Sequence, residues 1–544
     1  MKKKSFRHPE RSEGSSISRF FARLRLLRMT SLFLFLFISG GMAHADESRL
    51  LPIQQGGRVK TFDAFSRETL TLVHGRSSWE KRPALAWFLD ALAKPEAVRG
   101  WKWVRVDYEP LKQSLGLDPV RRDFSYDEIF PLTDKLESLG RSAEKKRNAD
   151  SAPSLLERKA ESLYQALGAV QSVINQEAFR MIPPAQGSAD PSWRTLRDSS
   201  PEAVRPLQEI AEAHQRRDSA AFDQKVNHWL QAVGQSTGHR YDRVLGLESF
   251  YLVLRPFGLG AAAYLAGFLL LLTKRFKKWG AALAVAGFLL HTTGLSLRVL
   301  ILGRPPVSNM YESMVWMNWV LMLAALILSW IRRDLAAITV GAVASAVVML
   351  YGDLLPIDSG FEMLVPVLRS NYWLSIHVLT IVSSYGLFGL AMGLGHRHLW
   401  LHQRGRWGRG GEQKSAQLIY RAIQVGVLLL GIGTTLGGVW ANESWGRFWG
   451  WDPKETWALI TFLGYLVLIH LHFARIVKPF SLAVSAILGF LLVLFTWYGV
   501  NFVLGRGLHS YGQGSGGMSW ILLYLGIEAL FLTWVFCGRV IKGK

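Results

Sequence analysis

Nine long apolar runs in the second half of the chain restrict this sequence to a helical membrane protein. The 544 residues are rich in charge up to about Ser249, and after about Pro256 apolar stretches alternate with short polar loops. Each stretch has roughly 17 to 25 residues, the length that an α-helix needs to cross about 30 Å of hydrocarbon. Lipid offers no hydrogen-bond partners to the backbone, so such stretches form helices. The predicted membrane helices cover approximately residues 256–273, 279–302, 311–331, 335–351, 375–400, 417–440, 455–476, 482–504 and 518–538.

The predicted fold is all-α, a polytopic bundle of about nine transmembrane helices preceded by a mainly helical soluble domain. Residues 1–45 are expected to be a signal peptide or an N-terminal anchor, because a basic segment precedes a short apolar stretch and an Ala-x-Ala site. Residues 46–249 are expected to be an extracytoplasmic domain, since their Ala-, Leu-, Glu- and Gln-rich segments have helical periodicity. Residues 250–544 form the predicted membrane domain.

The net charge of +22 indicates membrane topology rather than nucleic-acid binding. Basic residues concentrate in the first thirty positions and in short loops such as 274–278 and 397–414, without an RNA-binding motif beside them. Positive charge in alternate loops marks the cytoplasmic side of a membrane protein. The pattern predicts a bacterial inner-membrane protein with residues 46–249 on the outer face. The predicted outer loops are 303–310, 352–374, 441–454 and 505–517.

A tryptophan-rich segment occupies the third of these outer loops. Residues 445–457 read Trp-Gly-Arg-Phe-Trp-Gly-Trp-Asp-Pro-Lys-Glu-Thr-Trp. Tryptophan is common at membrane interfaces, but an interfacial belt does not require Asp-Pro-Lys-Glu between its indoles. A loop that holds a large flat aromatic ligand accounts for both features. The candidate ligand-binding residues of this segment are Trp445, Trp449, Trp451, Asp452 and Trp457.

This segment resembles the "WWD" signature of haem-handling proteins in cytochrome c maturation, and among them the CcsA type of system II. The outer segment from Arg304 to Ser313 is similar to a second motif of that family, and the resemblance extends over roughly residues 251–544. The resemblance implies that the cofactor is haem b. It also implies that two outer histidines in matching contexts, His377 and His509, ligate the iron of an outer haem.

Two further histidines are candidate ligands of an inner haem. Histidine within a membrane helix is costly without a partner, and imidazole is an axial ligand of haem iron. His470 lies about 22 Å along the seventh predicted helix and matches an intramembrane histidine of the family. For His291, in the second helix, two roles are open: a partner of His470, or a hydrogen-bonded residue between helices.

Several other polar residues have competing interpretations. Asp452 precedes Pro453 and is well placed as a helix N-cap. Lys454 and Glu455 either face the ligand or form a cap with its salt bridge. Arginine suits carboxylates, and the candidate partners of haem propionates are Arg298, Arg304 and Arg447. The histidines of the basic inner loop are predicted to be solvated: His396, His398 and His402.

The function that the resemblance implies is haem delivery across the membrane and covalent attachment to Cys-x-x-Cys-His motifs of apocytochrome c. The chain has one cysteine, Cys537, so it is not itself a c-type cytochrome. It would be a thioether-forming holocytochrome c synthase component, of lyase type, whose partners are apocytochrome c and a CcsB-type membrane protein. Two alternatives stay open: a haem exporter or chaperone without synthase activity, and a transporter of a non-haem solute. An internal repeat would favour the transporter, and none is clear.

Overall fold

The computed structural model describes residues 47–541, omitting positions 150, 152, 186, 189 and 409 and the segments 355–359, 362–369 and 505–517. The predicted signal segment, 1–45, and the candidate ligand His509 therefore lie outside the described residues. Helices dominate the described chain, and its strands form three short antiparallel pairs. The prediction of a helical polytopic membrane protein is confirmed.

The soluble domain is built from eight helices around one apolar core. The rings of Phe62, Phe65 and Phe88 lie 5.5 to 6.4 Å apart in that core. Short 3-10 turns cover Glu47–Leu50, Pro95–Gly100 and Phe130–Leu132. The helices are α1 (Phe62–His74), α2 (Ala84–Ala93), α3 (Glu109–Leu115), α4 (Tyr126–Ile129), α5 (Thr133–Asn148), α6 (Leu155–Ile174), α7 (Pro201–Arg216) and α8 (Ser219–Thr237). The strands are β1 (Pro52–Gln55), β2 (Arg58–Thr61), β3 (Ser78–Trp79), β4 (Arg82–Pro83), β5 (Val104–Arg105) and β6 (Asp123–Phe124).

The membrane domain follows as a bundle in which each predicted apolar run coincides with a helix and extends beyond its ends by no more than about three residues. Within the described chain, eight helical stretches are long and apolar enough to cross a membrane, with α9 and α10 counted as one. The apolar part of α13 is shorter, Ala336–Gly352. The helices are α9 (Asp242–Leu254), α10 (Pro256–Leu271), α11 (Lys277–Leu302), α12 (Met310–Arg332), α13 (Ala336–Leu354), α14 (Asn371–Gln403), α15 (Gly411–Trp445), α16 (Pro453–Phe473), α17 (Pro479–Leu504) and α18 (Met518–Ile541).

Helix α14 lies at the centre of the bundle and packs against α12, α15 and α17. Small residues permit this close packing, as is usual where helices meet in lipid. A methyl group added at Gly386 of α14 would lie 2.3 Å from the carbonyl oxygen of Met317 in α12. The four helices α14 to α17 together form the wall of the site described below.

The soluble domain is fastened to the membrane domain by a buried ion pair. Arg58 of β2 donates to the Glu248 carboxylate in α9 at 2.6 Å, and the same carboxylate accepts the backbone N–H of Thr61 at 2.7 Å. The Arg58 guanidinium also donates to the carbonyl of Phe361 at 3.0 Å. The predicted boundary at 249/250 falls inside α9, which continues into α10 through Arg255 in a left-handed conformation (φ +47°).

Candidate functional site

A large cavity opens at the end of the bundle where α14, α15, α16 and α17 meet the segment that precedes α12. It encloses about 1280 Å³ of empty space, its open mouth included. Small-molecule sites are usually clefts of roughly 300–1,000 Å³ lined by apolar and aromatic side chains with a few polar groups. The wall of this cavity is mainly apolar and aromatic and contains one imidazole and one lysine.

His377 contributes that imidazole from α14. Its Nδ1 lies 2.8 Å from the carbonyl oxygen of Gly433 in α15, so Nδ1 must carry the proton and donate. The ring stands edge-on to Trp440 at 5.7 Å. Gly437 lies against the ring, since a methyl group there would be 2.6 Å from the imidazole Cε1. Two turns of α15 thus hold the ring and fix its tautomer.

Two π-helical segments border the cavity. One covers Leu374–Val378 within α14 and includes His377. The other covers Phe495–Leu504 within α17 and places Trp497 and Asn501 in the cavity wall. π-Helical turns are rare and frequently occur at functional sites, so their presence at two places in its wall makes this cavity the candidate site.

The tryptophan-rich loop forms one rim of the cavity. Trp445 and Trp449 line it. Trp451 has a left-handed backbone (φ +58°), is 69% exposed and meets Trp449 edge-on at 5.9 Å, so it lies outside the wall. Trp457 packs on Phe495 at 4.1 Å instead of lining the cavity. Two of the four predicted indoles therefore face the cavity.

The acidic residues of the loop have a structural role. Asp452 caps α16 and forms a capping box with Glu455, as predicted for the N-cap. Glu455 also accepts the backbone N–H of Gly450 at 2.8 Å and pairs with Arg447 at 3.5 Å. Contacts with the N-terminus of α16 therefore fix the conformation of the loop. Of the two roles open for Glu455, its contacts correspond to a cap with a salt bridge.

One corner of the cavity is polar, and we call Lys454, Asn309 and Asn501 the polar corner. The Lys454 ammonium and the Asn501 amide both donate to the carbonyl oxygen of Trp497, at 3.4 and 2.9 Å. Asn501 also contacts the sulfur of Met310, the neighbour of Asn309, at 3.2 Å. All three side chains line the cavity. Sequence analysis did not single out the two asparagines, because neither is part of a charged or aromatic pattern.

The predicted propionate role of two arginines is not what their side chains do. Arg298 is fully buried and donates to Glu312 at 2.9 Å, and Arg304 pairs with the other oxygen of Glu312 at 3.0 Å. The Arg298 guanidinium also lies over the Phe361 ring at 4.4 Å. Since each oxygen of the buried Glu312 carboxylate pairs with one guanidinium, these ion pairs hold the segment before α12 in place.

The two candidate ligands of an inner haem are not brought together. His291 is fully buried, with Nε2 at 3.0 Å from the Val315 carbonyl and Nδ1 at 3.4 Å from the Tyr264 hydroxyl. His470 lies on the exposed side of α16, where its Nδ1 meets the Leu466 carbonyl at 2.8 Å. Of the two roles open for His291, a hydrogen-bonded residue between helices describes its present contacts.

The prediction that the inner-loop histidines are solvated was wrong for His398. His398 is fully buried, 4.9 Å from the Trp407 ring and 3.8 Å from Glu412. His396 bonds Glu528 at 2.9 Å. The basic loop sequence suggested solvent, but α14 continues through these positions and turns them toward α15 and α18. In the described part of the chain, no group of three His, Cys, Asp or Glu side chains is arranged to hold a metal ion.

The cavity fits an amphipathic planar ligand such as haem. Its wall provides a held imidazole, indole faces and a large apolar surface, and buried polar atoms at one corner lack a partner among the described residues: Asn309 Nδ2 and Asn501 Oδ1. An imidazole suits haem iron. A cation with amides suits a carboxylate.

The chain is similar to several known proteins of cytochrome c assembly. Residues 307–509 match the family described as cytochrome C assembly protein. The chain is 31% identical to the protein NrfI of Wolinella succinogenes over 497 residues, which are 84% of this chain, and it spans about half of NrfI's length, 53%. It is 34% identical to the cytochrome c biogenesis protein CcsA of Prochlorococcus marinus (strain AS9601) over 307 residues, 49% of this chain and 94% of that protein. For CcsA of Synechococcus sp. (strain CC9605), identity is 35% over 303 residues and 98% of that protein. The chain is a multi-pass membrane protein that belongs to the CcsA family of cytochrome c biogenesis proteins.

Proposed function

We propose that the cavity binds haem b with His377 as one axial ligand. The observation that carries this proposal is the imidazole held in the cavity wall by the Gly433 carbonyl. Histidines that ligate metals usually donate their second ring N–H to a carbonyl or carboxylate, which fixes the ring and raises the basicity of the other nitrogen. With Nδ1 donating, Nε2 is the nitrogen whose lone pair would bind iron.

His509 is the proposed second axial ligand. It follows the last described residue of α17, Leu504, by five positions, which span at most about 18 Å. The preceding turn of α17 lines the cavity at Asn501. The chain length between Asn501 and His509 therefore permits the histidine to reach a ligand bound in the cavity. We propose that this side is the outer, periplasmic face of the bacterial inner membrane.

The proposed reaction is covalent attachment of haem to apocytochrome c. Each cysteine thiol of a Cys-x-x-Cys-His motif adds across one haem vinyl group: the sulfur bonds to one vinyl carbon, the hydrogen goes to the other, and no electron acceptor is needed. This chain holds the two reactants in register, an effect worth several kcal/mol of a reaction barrier. The tryptophan-rich rim limits water access to one face of the ligand.

A CcsB-type membrane protein is the proposed partner. His470 faces outward from α16, whereas His291 has both ring nitrogens engaged inside the bundle. An inner haem at His470 would therefore take its second ligand from a protein packed against α16. We propose that this protein completes the path by which haem reaches the outer cavity.

The proposal is tested by the visible spectrum and the maturation activity of single and double variants. The protein purified with its partner from haem-replete cells is expected to show Soret absorption. His377→Ala and His509→Ala should each abolish cytochrome c maturation, and the double variant should be no worse, because two ligands of one iron act as a unit. Added imidazole should restore part of the activity.

His402→Ala is the control, because His402 lies at the other end of α14 beside Glu412. It should mature cytochrome normally. Full maturation by both outer variants, or well-folded protein without Soret absorption, would refute haem binding in this cavity.

A further inference from the structure

The polar corner contains a cation, Lys454, for which the described residues supply no carboxylate in a direct ion pair. The Lys454 ammonium donates to a backbone carbonyl at 3.4 Å, and in the described part of the chain it forms no ion pair with a carboxylate. A lysine at the start of a membrane helix, in the wall of a mainly apolar cavity, is unfavourable unless a counter-charge compensates it. A ligand bound in the cavity could supply that counter-charge.

The two acidic residues that lie beside Lys454 in sequence, Asp452 and Glu455, form other contacts. The Asp452 carboxylate accepts the backbone N–H of Lys454 at 2.9 Å as the cap of α16. The Glu455 carboxylate accepts two backbone N–H groups and pairs with Arg447. Asp452 attracts the Lys454 ammonium electrostatically. A direct ion pair would require either acid to rotate away from its present contacts, which would uncap α16 and release the tryptophan-rich loop.

The two asparagine amides are oriented by their other contacts. Asn309 Oδ1 caps α12 by accepting the backbone N–H of Glu312 at 2.8 Å, so Nδ2 is the atom that remains as a donor. That Nδ2 is buried without a partner among the described residues. Asn501 donates Nδ2 to the Trp497 carbonyl at 2.9 Å, which leaves Oδ1 as an unpartnered buried acceptor on the described chain. Buried polar atoms without partners are rare in folded proteins and call for an explanation.

We infer that the polar corner is a carboxylate subsite. The Lys454 ammonium supplies the charge and Asn309 Nδ2 a directed hydrogen bond, while Asn501 Oδ1 accepts a proton of the ammonium or of a bound water. The inference rests on the proposed function for the identity of the ligand: if the ligand is haem, the carboxylate is a propionate. The subsite then determines which edge of the macrocycle enters the cavity toward α16 and α12.

The test compares haem b with its dimethyl ester, in which both propionates are neutral, by Soret titration of the purified full-length protein. The wild type should bind the ester at least about tenfold more weakly than haem, since a charge-assisted hydrogen bond is worth that much. Lys454→Gln should bind haem as weakly as the ester and lose the discrimination. Lys454→Arg should keep it.

Lys478→Gln is the control, because Lys478, like Lys454, is adjacent to a proline at the start of a membrane helix, here Pro479 of α17, but is exposed. It should discriminate as the wild type does. Equal binding of haem and ester by the wild type, or unchanged discrimination in Lys454→Gln, would overturn the subsite and leave haem binding intact. Failure of the wild type to bind either porphyrin would instead refute the proposed function. If Lys454→Gln does not fold, the comparison in the wild type and in Lys454→Arg decides.

Discussion

Replacing Gly437 by alanine should displace the proposed haem ligand by a distance that the structure defines. The new methyl carbon would lie 2.6 Å from Cε1 of His377, and ordinary contact begins at 3.4 Å, so the ring must move by about 0.8 Å. The Nδ1···O contact with Gly433, 2.8 Å at present, would then exceed hydrogen-bond distance. Loss of such an outer contact to a ligating histidine reduces metal affinity by roughly 10- to 100-fold.

The stability of the fold should change little, because alanine favours a helix by about 1 kcal/mol over glycine and offsets part of the crowding. Gly526→Ala in α18 is the matched control, since a methyl group there meets no atom within 4 Å. Haem affinity from Soret titration and thermal unfolding in detergent are measured for both variants. The reasoning is refuted if a folded Gly437→Ala protein binds haem with the affinity and spectrum of the wild type.

Three further predictions follow from contacts outside the cavity. Glu312→Gln leaves two buried guanidiniums without a counter-charge, so it should reduce the free energy of unfolding by about 3–5 kcal/mol and lower the thermal midpoint. The exposed control Glu137→Gln should change the free energy of unfolding by less than about 1 kcal/mol. Equal midpoints for the two variants would contradict the buried triad. Burial lowers the pKa of His74 below 6.5, so at acidic pH the unfolded chain binds a proton that the folded chain does not. Helix α1 should therefore lose protection from hydrogen exchange as the pH falls below about 6.5. His74→Gln should reduce this dependence of protection on pH. A phosphatase fused at Ser188 should be active if the soluble domain faces outward, and an inactive fusion with a fluorescent cytoplasmic reporter at the same site would reverse the proposed topology.

The positions of the membrane helices were predictable because lipid imposes a length and a composition on every spanning segment. Contacts between distant segments were not. Arg298 and Glu312 are fourteen residues apart, and nothing in the local pattern pairs them before the helices are packed. Likewise, the tryptophan motif marks the loop, but only the packed structure shows that Trp449 lines the cavity whereas Trp457 packs on Phe495.

The histidines also show that local sequence does not determine the surroundings of a side chain. His377 was predicted as a ligand from its context, and the structure adds the Gly433 carbonyl that holds it. His398 was predicted to be solvated because arginines surround it in sequence, yet it is fully buried. Side-chain direction on a helix depends on register, and neighbouring residues in sequence point to different sides.

In the two π-helical segments, the number of residues, and not only their chemical type, determines the direction in which the cavity side chains point. A π turn holds more residues than an α turn, so deleting one residue between Leu374 and Val378 would let α14 close into a regular α-helix. Every side chain on the N-terminal side of the deletion would then turn by about 100° relative to the rest of the helix. Insertions and deletions in these two segments could therefore change the orientation of the cavity side chains, and with it the ligand bound, without substituting any residue that contacts the ligand.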